Sequence, residues 1–291
     1  MRISTNQQTN TIIQQLNNAS VELAKYQTQV SSGKKYEKIS DNPSATAQIL
    51  SYNHVLSQLN REKSDVDEAQ SLLTSADTAL SGMNKTMMRI NNLLLQAVNG
   101  TNDEKNLKQT AQEIKGLLDS MISLANTDDD GRYIFSGSNT TVKPFVVDQS
   151  TGELTYQGTT TPKNFQVTDT HEVEVYHNGD VFTEMFRNIQ DIVKTMEAGD
   201  IDTLRNLQGK HTENVNIVTD LMATVGGHKT AITSYNDLLA NRVIDYTERR
   251  ANVEEVDMPK AVSDLNRSTM AFQAALQSSI MVQKLSILNY M

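Results

Sequence analysis

The sequence predicts a mainly α protein: a long antiparallel coiled-coil-like helical bundle carrying a small antiparallel β insertion domain. Three observations lead there. Apolar residues recur at alternating steps of four and three over most of the chain, the signature of a narrow seam along one helix face. Of 291 residues only 4 are Pro and 13 Gly, with 5% aromatics and no Trp, too little punctuation and too few rings for two ordinary compact cores. In the middle the period drops to two within a threonine-rich stretch, as expected of short strands.

The first element places Ile12, Leu16, Ala19, Leu23, Tyr26 and Val30 on one seam, in a segment otherwise rich in Asn, Gln, Ser and Thr. Full burial of a Leu returns about 1.5–3 kcal/mol, here at only every third or fourth residue, whereas backbone ordering costs about 1–2 kcal/mol at every one. Alone, this helix is expected to fray. Ser31-Ser32-Gly33 ends it, Gly33 taking the left-handed cap. Asp41-Asn42-Pro43 then offers a side-chain cap and a proline at the first helical position.

From there a seam runs through Tyr52, Val55, Leu59, Glu62, Val66, Ala69, Leu73, Ala76, Leu80, Met83, Met87, Ile90, Leu94 and Ala97, with Glu62 its one polar member. At ~1.5 Å per residue this span is roughly 70 Å long. It is expected to end at Asn99-Gly100, and Thr101 to Glu104 reads as a capping box for a returning helix seamed by Leu107, Ala111, Ile114, Leu118, Met121 and Ala125. The acidic loop Asn126 to Gly131 closes that hairpin.

Residues 139–170 hold nine threonines and two prolines, and the pairs Phe145/Val147, Leu154/Tyr156, Phe165/Val167 and Val173/Val175 alternate as short antiparallel strands. Helical spacing returns with Phe182, Met185, Ile189, Ile192 and Met196, then Leu204, Leu207, Val218, Leu221 and Val225 up to a break at Gly226-Gly227. The last long seam is Ile232, Tyr235, Leu239, Arg242, Tyr246, Arg249, Val253 and Val256, stopped by Pro259. Beyond it, Leu265, Thr269, Phe272, Leu276, Ser279 and Gln283 continue a stripe, and the final turns are apolar nearly all round. An end so apolar expects a partner. The domains read from this are 1–42, an amino-terminal assembly helix pairing with 262–291; 43–131, a helical hairpin; 132–179, the β insertion; 180–261, the second half of the helical domain; and 262–291, the carboxy-terminal assembly helix.

Composition also excludes. A net charge of −9 with scattered basic residues lacks the footprint that phosphate backbones require, so nucleic acid is not expected as a partner. With a mean hydropathy of −0.47 and no run of 18 apolar residues, neither a membrane span nor a membrane partner is expected. The first ten residues carry no apolar core, so no cleavable secretory signal is expected. Zero Cys removes disulfides and thiolate chemistry. His54, His171, His177, His211 and His228 form no i, i+4 pair and read as surface or structural. Asn126-x-Asp128-x-Asp130-Gly131 copies half of an EF-hand loop, but Gly137 stands where the bidentate Glu is required. The methionines sit mostly at seam positions and read as core packing, and Lys34-Lys35 and Arg249-Arg250 read as solvated charge. No catalytic residue, metal site or cofactor is called for.

Met1-Arg2-Ile3-Ser4-Thr5, Val30-Ser31-Ser32-Gly33-Lys34-Lys35, Ile39-Ser40-Asp41-Asn42-Pro43-Ser44 and Ala251 through Met258 resemble the terminal patterns of the bacterial flagellin superfamily. Gly131 through Gly137, Pro144-Phe145, Tyr156-Gln157-Gly158 and the ending Leu285 through Met291 are similar to its hook-filament junction branch. Met258-Pro259 departs from that pattern, which more often has an aromatic and an alanine there. The resemblance implies export through the hollow flagellum without a cleavable signal, and a cytosolic export chaperone on the carboxy-terminal segment. It further implies self-association in a helical layer between the hook-side junction protein and flagellin. The assembly interface it implies comprises Ile12, Leu16, Leu23, Val30, Leu265, Phe272, Leu276, Ile280, Leu285 and Leu288. A flagellin or other flagellin-like axial subunit is the alternative, and an intracellular coiled-coil adaptor a more distant one.

Overall fold

A computed structural model describes residues 2–99, 104–148, 153–161, 163–168 and 171–288. Among the described residues it is mainly α, with six helices, α1 (Arg2–Ser32), α2 (Pro43–Asn99), α3 (Glu104–Ala125), α4 (Val181–Ala198), α5 (Ile201–Glu254) and α6 (Met258–Leu288). Between α3 and α4 lie six short strands, β1 (Asp128–Asp129), β2 (Arg132–Tyr133), β3 (Phe145–Val147), β4 (Leu154–Tyr156), β5 (Lys163–Thr168) and β6 (His171–Tyr176). The chain forms two compact units: residues up to Leu59 with those from Arg242 on, and Asn60–Asn241. Helices α2 and α5 contribute residues to both.

In the first unit all six seam residues of α1 are half-buried, and from 10 to 27 every residue off the seam is exposed. Gly33 ends the helix at φ 73°, its N–H donating to the Gln29 carbonyl at 2.9 Å. The Asp41 carboxylate then accepts the Lys38 and Glu37 N–H groups at 3.0 and 3.1 Å, and Asn42 Oδ1 accepts that of Ala45 at 3.1 Å, so α2 starts on Pro43. These backbone bonds hold the Asp41 carboxyl below its ordinary range. Within this unit α2 and α5 meet through the Tyr52 and Tyr246 rings, 6.2 Å apart, and a 3.2 Å bond from Arg250 to Asn53.

In the second unit the α2 seam from Val66 to Ala97 is buried throughout, and Leu72, Ala79 and Leu93 beside it widen the apolar face. The six α3 seam residues are the buried ones of that helix. Helix α3 runs back along α2: Arg89 pairs with Glu113 at 2.6 Å, and Gly82 lets Leu124 lie where a Cβ would be only 3.0 Å from it. The capping box expected at Thr101 lies outside the described residues. Helix α5 is antiparallel to α2, as Lys63 with Asn236, Asp77 with Lys229 and Met87 with His211 show.

Helix α4 buries Phe182, Met185, Ile189, Ile192 and Met196 and ends on Gly199 at φ 72°. Asp200 then caps α5 through the Thr203 N–H at 3.1 Å. The break expected at Gly226-Gly227 is absent: α5 is continuous for 54 residues. Neither glycine has a positive φ, and Val225 and Ile232 are buried on either side. Burial there outweighs the roughly 1 kcal/mol each glycine costs a helix. The phase also differs farther on. Arg242 and Arg249 are exposed, whereas Val243, Tyr246, Arg250 and Val253 are half-buried, the continuation of Leu239 at steps of four and three. Arg249 instead bonds Asp245 one turn back, at 2.9 Å.

The strands make three separate antiparallel hairpins, β1 with β2, β3 with β4 and β5 with β6, rather than one sheet. The acidic loop supplies the first: Asp130 and Gly131, at φ 53° and 75°, have the paired positive φ of a type I′ turn. In the second, Phe145 faces Tyr156. The side chains of Phe165 and Val167 lie outside the described residues. The β region sits on α4 through aromatic contacts, Phe145 on Phe186 and Phe135 on Phe182 with ring centres 5.2 and 5.3 Å apart. Tyr156 fastens the arrangement: its hydroxyl lies 3.1 Å from the Phe135 and Thr159 carbonyls and accepts the Gly179 N–H at 3.2 Å. Gly179 and Gly158 leave no room for a Cβ beside it.

Leu80→Ala or Ile90→Ala, both fully buried, is expected to cost about 2–5 kcal/mol, and Thr160→Ala, on an exposed loop, within about 0.5 kcal/mol. Denaturant melts followed by circular dichroism check both, and equal costs would contradict the burial pattern.

Candidate assembly interface

The two ends of the chain meet in the first unit. Helix α6 packs along α1, and its side that loses exposure is Ala261, Leu265, Ser268, Phe272, Ala275 and Ser279, at steps of four and three. The pairing is antiparallel, because the end of α1 is stitched to the turn that precedes α6. The Lys35 N–H donates to the Glu254 carbonyl at 2.7 Å and the Val256 N–H to the Gly33 carbonyl at 2.9 Å. Asp257 Oδ1 accepts the Lys260 N–H at 3.1 Å and so caps α6. That cap starts α6 on Met258 with Pro259 in its first turn, where a missing N–H is harmless.

Side chains reinforce this strap. Lys34 Nζ lies 2.6 Å from Glu254, Lys35 Nζ donates to the Asn252 carbonyl at 2.8 Å, and Arg250 approaches the other Glu254 oxygen at 3.6 Å. The reading of Lys34-Lys35 and Arg249-Arg250 as solvated charge holds for Lys34 and Arg249, which are exposed, but Lys35 and Arg250 are half-buried and all four side chains have partners. Their partners are about two hundred residues distant or one helical turn away, which a two-residue basic run does not reveal.

The candidate interface residues divide. Ile12, Leu16, Leu23 and Val30 of α1 and Leu265 and Phe272 of α6 are half-buried on the faces the two helices turn to each other. Leu276 and Ile280 are 38% and 52% exposed, on a second stripe of α6 with Val262, Met270 and Met281. The side chains of Leu285 and Leu288 lie outside the described residues. That second stripe was not legible as a separate face, since both stripes fall within one apolar arc of the sequence.

The histidines are dispersed: His54 is exposed, His228 half-buried, His177 and His211 buried, and the His171 side chain is outside the described residues. His177 bonds Glu174 and holds that carboxyl below its ordinary range. Among the described residues no group of three or more His, Asp or Glu is placed to hold a metal ion, and no helix is long and apolar enough to cross a membrane.

Residues 3–140 match the bacterial flagellin N-terminal helical region. Flagellar hook-associated protein 3 of Escherichia coli strain K12 is 25% identical over 99% of this chain and 98% of its own length, and that of Salmonella typhimurium is equally so. The chain is similar to flagellar hook-associated protein 3 from end to end. In fold it resembles the crystal structure of Bacillus cereus FlgL, at a TM-score of 0.62 and 24% identity, over 69% of this chain and 99% of that one. The Xanthomonas campestris FlgL structure gives 0.63 at 17% identity, over 69% and 99%. The motifs that carried the resemblance have structural work in this chain. Gly33 through Lys35 and Asn252 through Asp257 make the strap, and Tyr156, packed closely by Gly158, ties Phe135 and Thr159 to the turn at Gly179 before α4.

A double-mutant cycle on Lys34→Met and Glu254→Gln is expected to give a coupling of about 0.2–1 kcal/mol that shrinks in high salt, as for half-exposed ion pairs. Denaturant melts of the four proteins check it, and a coupling of zero in low salt would contradict the pairing.

Proposed function

We propose that this chain is a structural subunit of the bacterial flagellum, forming the layer between the hook-side junction protein and the flagellin filament. It is exported unfolded through the growing structure, with an export chaperone on its carboxy-terminal segment beforehand. On arrival the terminal helices fold fully and pack into a helical lattice of head-to-tail contacts. The observation that carries this reading is similarity to flagellar hook-associated protein 3 over 99% of the chain. The paired α1 and α6 support it. Their seam is too thin to order two long helices comfortably alone, and Val262, Met270, Leu276, Ile280 and Met281 are left exposed on α6, an apolar stripe that a neighbouring subunit would cover.

Immunogold labelling of the chain on isolated flagella tests the reading. Label is expected at a single sharp position between hook and filament, with hooks lacking filaments when the chain is deleted. Label along the whole filament would make it a flagellin, and label confined to the cytoplasm would overturn the proposal.

A further inference from the structure

His211 lies on the α5 seam in the core of the second unit, with no exposed surface. Its Nε2 is 3.0 Å from the carbonyl oxygen of Met87, about three turns before the end of α2. A carbonyl oxygen can only accept, so Nε2 carries the proton and Nδ1 is bare. Nδ1 is itself buried and has no hydrogen-bond partner. The site thus accommodates the neutral ring alone, since a second ring proton would have no acceptor and its charge no counter-ion.

We propose that His211 is an acid-sensitive latch: neutral, it clips α5 to α2 through the Met87 carbonyl; protonated, it opens the core of the second unit. The elements around it supply no compensating charge. On α2, Lys85 and Arg89 are exposed, and Arg89 is taken by Glu113 of α3. On α5, Lys210 and Glu213 are exposed. Helix α4 faces this stretch of α5 with Asn188, which bonds the Leu207 carbonyl, and its Arg187 and Asp191 are exposed. The remaining described histidines of the unit, His177 and His228, bond Glu174 instead.

Burial pushes the His211 imidazole below the ordinary histidine value, against a smaller opposing effect of its bond to Met87. The sign follows. The unfolded ring takes up a proton below about pH 6.5, while the folded ring stays neutral to lower pH. Stability contributed by the neutral ring is fully present above the unfolded value. As pH falls from there toward the folded value, the unfolding constant rises about tenfold per pH unit.

The test uses the full chain. Denaturant unfolding followed by circular dichroism from pH 8 to pH 5 is compared for the wild type and His211→Gln, whose other titrating groups are the same. The wild type is expected to lose stability more steeply below pH 6.5, by about tenfold in the unfolding constant per pH unit. Parallel pH profiles would overturn the proposal. Nuclear magnetic resonance titration of the wild-type ring decides independently if the variant does not fold. A midpoint below that of an ordinary histidine, accompanied by loss of amide protection in α5 near His211, supports the latch. An ordinary midpoint in a chain that stays folded overturns it.

Discussion

The apolar seams of this chain are narrow, and that narrowness dictates most of its architecture. A helix with one apolar residue per three or four gains enough from burial only if another helix covers the seam along its length. Each long helix accordingly has a partner running the other way. Helix α1 lies against α6, α2 against α5, and α3 folds back on α2. Where α2, α3, α4 and α5 gather in the second unit the seams widen into a core of fully buried Leu, Ile and Met. In the first unit the described α1 side chains are no more than half-buried, and local backbone bonds at Gly33, Lys35 and Val256 hold the turn between α1 and α6 together.

Narrow repeating seams bring a second difficulty, because neighbouring registers bury nearly the same area. Polar contacts across helices discriminate among them, since a shift by one turn leaves each partner unmatched. Asn236 reaches Asp67 at 2.7 Å and Lys63 at 3.3 Å, Lys229 reaches Asp77 at 2.9 Å, and His211 reaches Met87 at 3.0 Å. The part-exposed contacts of Asn236 and Lys229 add little stability themselves. Together they fix one alignment of α2 against α5 through the second unit.

Much of this was legible in the sequence. The α3 and α4 seams, the strand pairs at Phe145/Val147 and Leu154/Tyr156, and the caps at Gly33 and Asn42-Pro43 all depend on residues close together in the chain. The misreadings have a common origin in distance. Gly226-Gly227 looked like a stop because local propensity favours one, and only packing of Val225 and Ile232 sustains the helix through it. Arg242 and Arg249 fit the period as well as Val243 and Arg250, and the choice was made by where α2 lies. Lys34 and Lys35 looked free because Glu254 and Asn252 are so far along the chain. The separation of the β region into three hairpins likewise depends on the helices that each one rests on.

The contrast between thinly and fully seamed pairs can be read directly by amide hydrogen exchange on the purified monomer. Residues 66–97 of α2 and 204–239 of α5 should be strongly protected, and 2–32 of α1 and 262–288 of α6 should exchange rapidly, slowing when the chain is incorporated into assembled flagella. Protection of the terminal helices equal to that of α2 in a verified monomer would contradict the dependence of those helices on a further partner.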